Sequence, residues 1–200
     1  MQDKINFKLA LTFDYGQKSF QKELEASKNI AQHFKIEHKC IKLDWLQKIT
    51  NTSLVSKESI PDITEKNLDN EDITTESMKN VWVPNRNGLF INIAASFADS
   101  FEYDYIVIGA NKEEAATFSD NSKKFIKNIN SSLEYSTNYK TKVIAPLIDL
   151  NKNEIVKKAI ELKAPLKFIN SCYNNTKKHC GSCESCNRLK RALKNICLLY

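Results

Sequence analysis

The chain has 200 residues, 42% of them hydrophobic and 27% charged, with a formal net charge of +6. That size and balance suit one globular domain with at most a small appendage, and exclude a fibrous or low-complexity protein. No apolar run approaches the ~20 residues that cross a bilayer, and the opening MQDKINFKLAL lacks a secretory cleavage site. The expected compartment is the cytoplasm, where clustered cysteines stay reduced and serve as metal ligands.

Along the chain, Lys8 to Phe13 (KLALTF) reads as a buried strand. Ser19 to Phe34 has helical spacing, with Phe20, Leu24, Ala31 and Phe34 on one face. His38 to Leu43 alternates like a second strand. Strand, helix and strand with short joins predict a parallel pair with a right-handed crossover.

Residues 48–80 carry four Lys against seven Asp or Glu and show little periodicity, the composition of a lid, a binding loop or a disordered stretch. Asn87 to Phe101 is apolar nearly all round and predicts a buried helix. Tyr105 to Ile108 (YIVI) reads as an interior parallel strand. A helix near Asn121 to Ser131, a strand near Val143 and a helix from Asn151 to Leu162 complete the alternation, with Asn151 and Glu154 spaced for a capping box. The expected class is α/β with a doubly wound parallel sheet over residues 1–165.

The remaining segment, residues 166–200, holds Cys172, Cys180, Cys183 and Cys186 in the spacing C-x7-C-x2-C-x2-C. Four thiolates suit tetrahedral Zn²⁺ in a closed, structural site. An iron–sulfur cluster is the rival, but the ferredoxin run continues to a further Cys followed by Pro, absent here. His179 is an alternative fourth ligand. Cys40 and Cys197 read as packed thiols. From Ser171 to Tyr200, six Lys or Arg stand against one Glu, a balance of +5. That surplus reads as a solvated face or as a surface for phosphate or nucleic acid.

Ligands of open parallel sheets bind beyond the carboxyl ends of strands. TFDYGQ (Thr12 to Gln17) therefore puts Asp14, Tyr15 and Gln17 where a ligand could touch them, though a satisfied turn explains the stretch equally well. VPNRN puts Arg86 and Asn87 at a helix start, where an arginine opposes the helix dipole unless an anion lies between them; otherwise Arg86 is a surface residue and Asn87 a cap. GANKEEAATFSDNS follows the central strand, and its Asp120 or Asn121 either caps the next helix or reads a polar base edge. The four glycines form no G-x-x-x-x-G-K or G-x-G-x-x-G cradle.

Taken in order, ALTFDYGQ, ELEASKNIA, VPNRN, VIGANKEE…SDNS, APLIDLNKNEIVKKAIEL and SCY…CGSCESCNRLKR resemble the 7-cyano-7-deazaguanine synthase family of the PP-loop ATP pyrophosphatase superfamily, from about Leu9 to Leu193. The resemblance implies an adenine nucleotide alpha hydrolase-like fold. It also implies a carbon–nitrogen ligase that converts 7-carboxy-7-deazaguanine, ammonia and ATP, with Mg²⁺, into 7-cyano-7-deazaguanine (preQ0) for queuosine biosynthesis. The family's zinc cysteines fall on Cys172, Cys180, Cys183 and Cys186. By position, Arg86, Asn87 and Asp120 fall near the deazaguanine, and Asp14 and Gln17 near the nucleotide. A homodimer is the implied assembly, with neither membrane nor nucleic acid as the expected partner.

Two departures carry expectations of their own. Where the family has an aromatic residue and Pro-Asp, this chain has Phe118-Ser119-Asp120. The family's opening strand and S-G-G-x-D-S loop, which hold the ATP phosphates, do not occur in these 200 residues. That strand is expected between those at Leu9 and Tyr105, so the sequence as written is expected to lack its first βα unit and to turn over no ATP. The competing functions are a related PP-loop enzyme acting on another purine analogue, a protein or tRNA, and a non-catalytic zinc protein that binds nucleic acid.

Overall fold

In the computed structural model, which describes residues 5–176 and 178–196, the chain alternates strand and helix. Strand β1 (Leu9–Asp14) is followed by helix α1 (Phe20–His33) and strand β2 (Glu37–Lys42). β1 and β2 pair in parallel, from Leu9 opposite Glu37 to Asp14 opposite Lys42. Helices α2 (Asp44–Ile49), α3 (Glu71–Val81) and α4 (Arg86–Ser100) lead to strand β3 (Tyr105–Val107). Then come α5 (Lys112–Thr117), α6 (Lys123–Ser136), strand β4 (Lys142–Ile144), α7 (Lys152–Glu161) and α8 (Glu184–Asn195). β3 and β4 form a second parallel pair, with Ile106 opposite Val143. The α/β class with parallel strands is thus as expected, and α7 starts with the expected reciprocal bonds between Asn151 and Glu154. No helix among the described residues is long and apolar enough to cross a membrane.

The two pairs are not hydrogen-bonded to each other. β1 and β3 each turn an edge toward one cavity, floored by Phe90, Ile91 and Ala94 of α4. The strand expected between them does not form from the described residues. The opposite side of the β3–β4 pair is sealed: the Asn130 side chain on α6 accepts from the Val143 amide at 2.8 Å and donates to its carbonyl at 2.9 Å, replacing a neighbouring strand.

YIVI differs from the interior strand predicted. Ile106 is buried, but Tyr105 is 48% and Val107 37% exposed, because the described helices cover one face of β3 only. Cys40 is exposed, not packed, since it lies on the edge strand β2; Cys197 lies outside the described residues. Residues 48–80 carry more structure than their composition suggests. α3 occupies their end, and Ile63 and Leu68 are buried. The Ile63 amide donates to the Ser182 carbonyl at 3.0 Å, and Asn187 on α8 donates to the Ile63 carbonyl at 2.6 Å. The apolar anchors of this segment therefore dock on the cysteine end.

Two apolar cores result. One joins Tyr15, Leu46, Leu54, Val81 and Val83 to the cysteines; the other joins α4, α6, β3 and β4 through Ile91, Ala95, Leu133 and Val143.

Candidate functional site

The cysteine centre is built from a loop and the first turn of α8. The sulfurs of Cys172, Cys180, Cys183 and Cys186 all lie within 4.8 Å of one another, and Cys180 and Cys186 are 3.8 Å apart. A tetrahedron with Zn–S bonds of ~2.3 Å has edges of ~3.8 Å, so the donor set fits that ion. Burial pushes the Cys183 thiol up to about 11 and raises Cys186 further. Two neighbouring thiols held this high lose their protons together only around a cation. The loop is already arranged for thiolates: amides of Asn174 and Cys180 point at the Cys172 sulfur at 3.4 and 3.5 Å, and the Cys183 amide at the Cys180 sulfur at 3.4 Å. His179 is not in the cluster; its Nε2 accepts from the Ser171 amide at 3.2 Å.

Much of the basic excess beside this centre is paired. Arg188 contacts Glu113 at 3.0 Å and Glu184 at 2.9 Å, and donates to the Leu68 carbonyl. Arg191 meets Asp69 at 2.7 Å and Glu113 at 3.5 Å, while Lys194 meets Glu65 at 3.0 Å. These residues fasten α8 to α5 and to the 60–69 segment, and so are not free to form an open phosphate-binding face.

The second site is the cavity of about 1110 Å³ between β1 and β3. Its polar end is lined by Tyr15, Gln17, Arg86, Asn87, Glu114 and Asn121. Two helix starts converge there. Asn85 turns the chain with a left-handed φ of 49°, tolerable for Asn, and Arg86 begins α4. A Cβ on Gly88 would lie 2.2 Å from the Asn85 side-chain oxygen, so a larger residue there would have to turn the Asn85 side chain aside. Asn111 caps α5 by accepting from the Glu114 amide at 3.2 Å.

Arg86 is unusual for its bonding. Among the described residues it has no ion pair, and its one side-chain hydrogen bond goes to the Tyr15 hydroxyl at 3.4 Å. Burial opposes its charge, while the bond to the Tyr15 hydroxyl and the nearby Asp120 carboxylate favour it; its pKa is raised and it stays cationic. A desolvated guanidinium with most of its N–H fork unanswered is an anion site. Burial raises Tyr15 and Tyr173 above ordinary phenols, so both stay neutral donors. Tyr173 also links the two centres: it follows Cys172 in the cluster loop and packs against the cysteine core, while its ring lies within electrostatic reach of Arg86 and Glu114.

The other predicted residues divide. Asn87 donates a long bond of 3.4 Å to the Asp120 carbonyl, which draws the two segments together. Asp120 itself is not in the cavity wall; its carboxylate accepts from Asn121, and burial raises its pKa. Ser122, not Asp120 or Asn121, caps α6. Asp14 also lies outside the wall, where its carboxylate accepts from the Gly16 amide at 3.1 Å. Gln17 lines the cavity, but its amide is engaged with Tyr15, Phe13 and Glu23. Its evident task is to hold the turn.

Glu114 and Tyr173 were missed from sequence. Glu114 receives Lys152 at 2.6 Å. Burial alone would raise its pKa, but Lys152, Asn111 and Arg86 together lower it, so it stays ionised. The signal available for it was the Asn-x-x-Glu spacing of Asn111 and Glu114, which marks a helix start at a strand's carboxyl end.

Comparison with known proteins gives the family. The chain is 50% identical over 198 residues to a 7-cyano-7-deazaguanine synthase of Methanosarcina mazei, covering 97% of this chain and 86% of that protein. It is 49% identical over 184 residues to one of Methanobrevibacter smithii, covering 92% and 81%. A third, from Carboxydothermus hydrogenoformans, is 50% identical over 185 residues, covering 92% and 85%. The sequence model of the queuosine biosynthesis protein QueC matches residues 2–197, and the chain belongs to that family.

Proposed function

We propose that this chain is a 7-cyano-7-deazaguanine synthase, a carbon–nitrogen ligase that makes 7-cyano-7-deazaguanine from 7-carboxy-7-deazaguanine and ammonia with ATP. The observation that carries the reading is Arg86, a half-buried cation without an ion pair among the described residues, in the wall of a large cavity, in a chain of this family. Its N–H fork suits the substrate carboxylate, with Asn87 beside it and the Asp120 segment drawn in through Asn87.

The reaction divides into two activations. ATP supplies the leaving group: a carboxylate oxygen attacks its α-phosphate and pyrophosphate departs. Ammonia then attacks the acyl carbon, AMP leaves with that oxygen, and a proton is lost, giving the amide. The amide oxygen is activated the same way; AMP leaves again with the oxygen, both remaining N–H protons are lost, and C≡N forms. Arg86 and the neutral hydroxyl of Tyr15 oppose the negative charge that builds on the acyl oxygens. Asp14 and Gln17 lie toward the nucleotide and act by shaping the Tyr15–Gly16 turn that borders it. Mg²⁺ enters with ATP. Zn²⁺ held by Cys172, Cys180, Cys183 and Cys186 takes no chemical part and fixes the loop that carries Tyr173.

The test is calorimetric binding of 7-carboxy-7-deazaguanine beside its decarboxylated analogue. The carboxylate is expected to bind at least ~10-fold more tightly, a preference that Arg86→Gln removes. Equal binding of the two ligands by the wild-type chain, or none, overturns the reading. The family's S-G-G-x-D-S loop does not occur in these 200 residues, so no nitrile is expected from them with ATP, Mg²⁺ and ammonia; its appearance, read by product mass, would overturn that expectation.

A further inference from the structure

At the polar end of the cavity, two carboxylates line the wall, Glu23 and Glu114. Glu23 is occupied: Ser19 donates to one oxygen at 2.6 Å and Gln17 to the other at 2.9 Å. Both of those donors are themselves buried. Glu114 is differently placed. Its backbone starts α5, Lys152 approaches it from α7, and it lies in the field of Arg86 without forming an ion pair with it. The pair Arg86 and Glu114 thus presents a cation and an anion to one cavity, separated rather than neutralising each other. Gly109, between β3 and α5, also lines this wall, and a Cβ there would meet nothing within 4 Å.

A 7-carboxy-7-deazaguanine has the same polarity as this wall. One end is a carboxylate. The other is the pyrimidine edge, where N1–H and the 2-amino group are adjacent donors. A carboxylate accepts such a donor pair side by side, as it accepts an arginine fork. An ionised one binds it about twice as strongly as a neutral amide would. Building on the synthase reading, we infer that Glu114 is the specificity residue that accepts from N1–H and the 2-amino group while Arg86 holds the carboxylate. Lys152 and the Asn111 cap fix its orientation, and Gly109 leaves the ring face room. Asp120, whose carboxylate is turned to Asn121 outside the wall, does not perform this reading.

The experiment measures binding of 7-carboxy-7-deazaguanine against 7-carboxy-7-deazahypoxanthine, which lacks the 2-amino group. The wild-type chain is expected to prefer the first by ~10- to 100-fold, the range of a good bidentate base contact. Glu114→Gln should bring the ratio close to one while the preference for carboxylated over decarboxylated ligand remains. A merely structural role would weaken both ligands alike and leave the ratio standing, and that result overturns the inference. Glu114→Asp keeps the charge near Lys152 but withdraws it from the ligand; it should lower the ratio, and an unchanged ratio there overturns the inference even if Glu114→Gln does not fold. A wild-type ratio of one also overturns it, yet leaves the synthase reading intact provided the carboxylate is still preferred. If the wild-type chain binds neither ligand, the synthase reading itself falls.

Discussion

At the cysteine end, Arg188 has a side chain only 11% exposed and is gripped by Glu113, Glu184 and the Leu68 carbonyl. In the cleft, Arg86 has one long bond to Tyr15 and no ion pair among the described residues. Both are desolvated arginines, yet one is answered by the protein and the other is left for something else to answer. The sulfurs repeat the first pattern, converging on one point with amides behind them, and the edges of β1 and β3 repeat the second, lining an open cavity. A satisfied buried charge serves stability and an unsatisfied one is a binding site, so substitutions at the two ends should separate folding from binding.

The largest stability effect is expected from Cys183→Ser. Structural zinc contributes ~10 kcal/mol or more in small domains, against a typical total stability of ~5–15 kcal/mol. Bound zinc, read by elemental analysis, should fall from one per chain to none, and cooperative unfolding should be lost near room temperature. A variant that keeps its melting temperature would show the cysteine end to be dispensable. Arg188→Met is next. It takes the cation from Glu184 and leaves Glu113 only the longer contact with Arg191, with side chains 12% and 18% exposed, and breaking such a pair costs ~3–5 kcal/mol. Melting should drop by roughly 10 °C, since ~1 kcal/mol shifts a domain of this size by ~2–4 °C. Zinc content should remain.

How far this contrast was legible in sequence depends on the range of the interaction. The cysteine centre was legible because its ligands recur within one short stretch, and the strand–helix rhythm because periodicity is local. The docking of Ile63 and Leu68 on α8 was not, since residues 48–80 reveal their anchors only against a surface more than a hundred positions away. α5 was missed because KEEAAT is a six-residue helix with few apolar positions. Its omission hid Glu114, since which carboxylate after β3 faces the cavity depends on the phase of that helix. Cys40 was misplaced because alternation marks a strand but not whether the strand is an edge.

Two smaller effects sharpen the cleft side. Gly16 has φ +80°, and a Cβ there would lie 2.3 Å from Gln47. Gly16→Ala should cost ~1–2 kcal/mol from the left-handed backbone alone, and it should disturb the turn carrying Tyr15. Unfolding midpoints in denaturant would register it, and an unchanged midpoint would mean the turn relaxes freely. The Glu114–Lys152 pair is worth less, under ~1 kcal/mol, because both side chains are partly exposed. Its sign is still defined. Glu114 is held below the ordinary Glu value of 4.5, so its contribution is full above that pH and is lost as pH falls through the lowered value. The melting difference between wild type and Glu114→Gln should therefore be present at neutral pH and vanish in acid; a difference that grows in acid would mean Glu114 is a strained, protonated acid.

The smallest stability effect is expected where the binding effect is large. Gly109 has no positive φ, and its Cβ position opens into the cavity. Gly109→Val therefore adds a Cβ that meets neither a left-handed backbone nor a neighbouring atom. Its stability should stay within ~0.5 kcal/mol of wild type, the range of substitutions that touch nothing. Binding is the sensitive readout, because the added methyl groups occupy space in the cavity wall that the folded protein does not itself use. Affinity for 7-carboxy-7-deazaguanine should fall at least ~10-fold, by analogy with overpacking a filled site at ~1–3 kcal/mol. Unaltered affinity would place the ligand elsewhere in the cavity. A large melting loss would mean the wall at Gly109 closes on itself in solution, and the contrast between an answered and an unanswered end would then fail at its most open point.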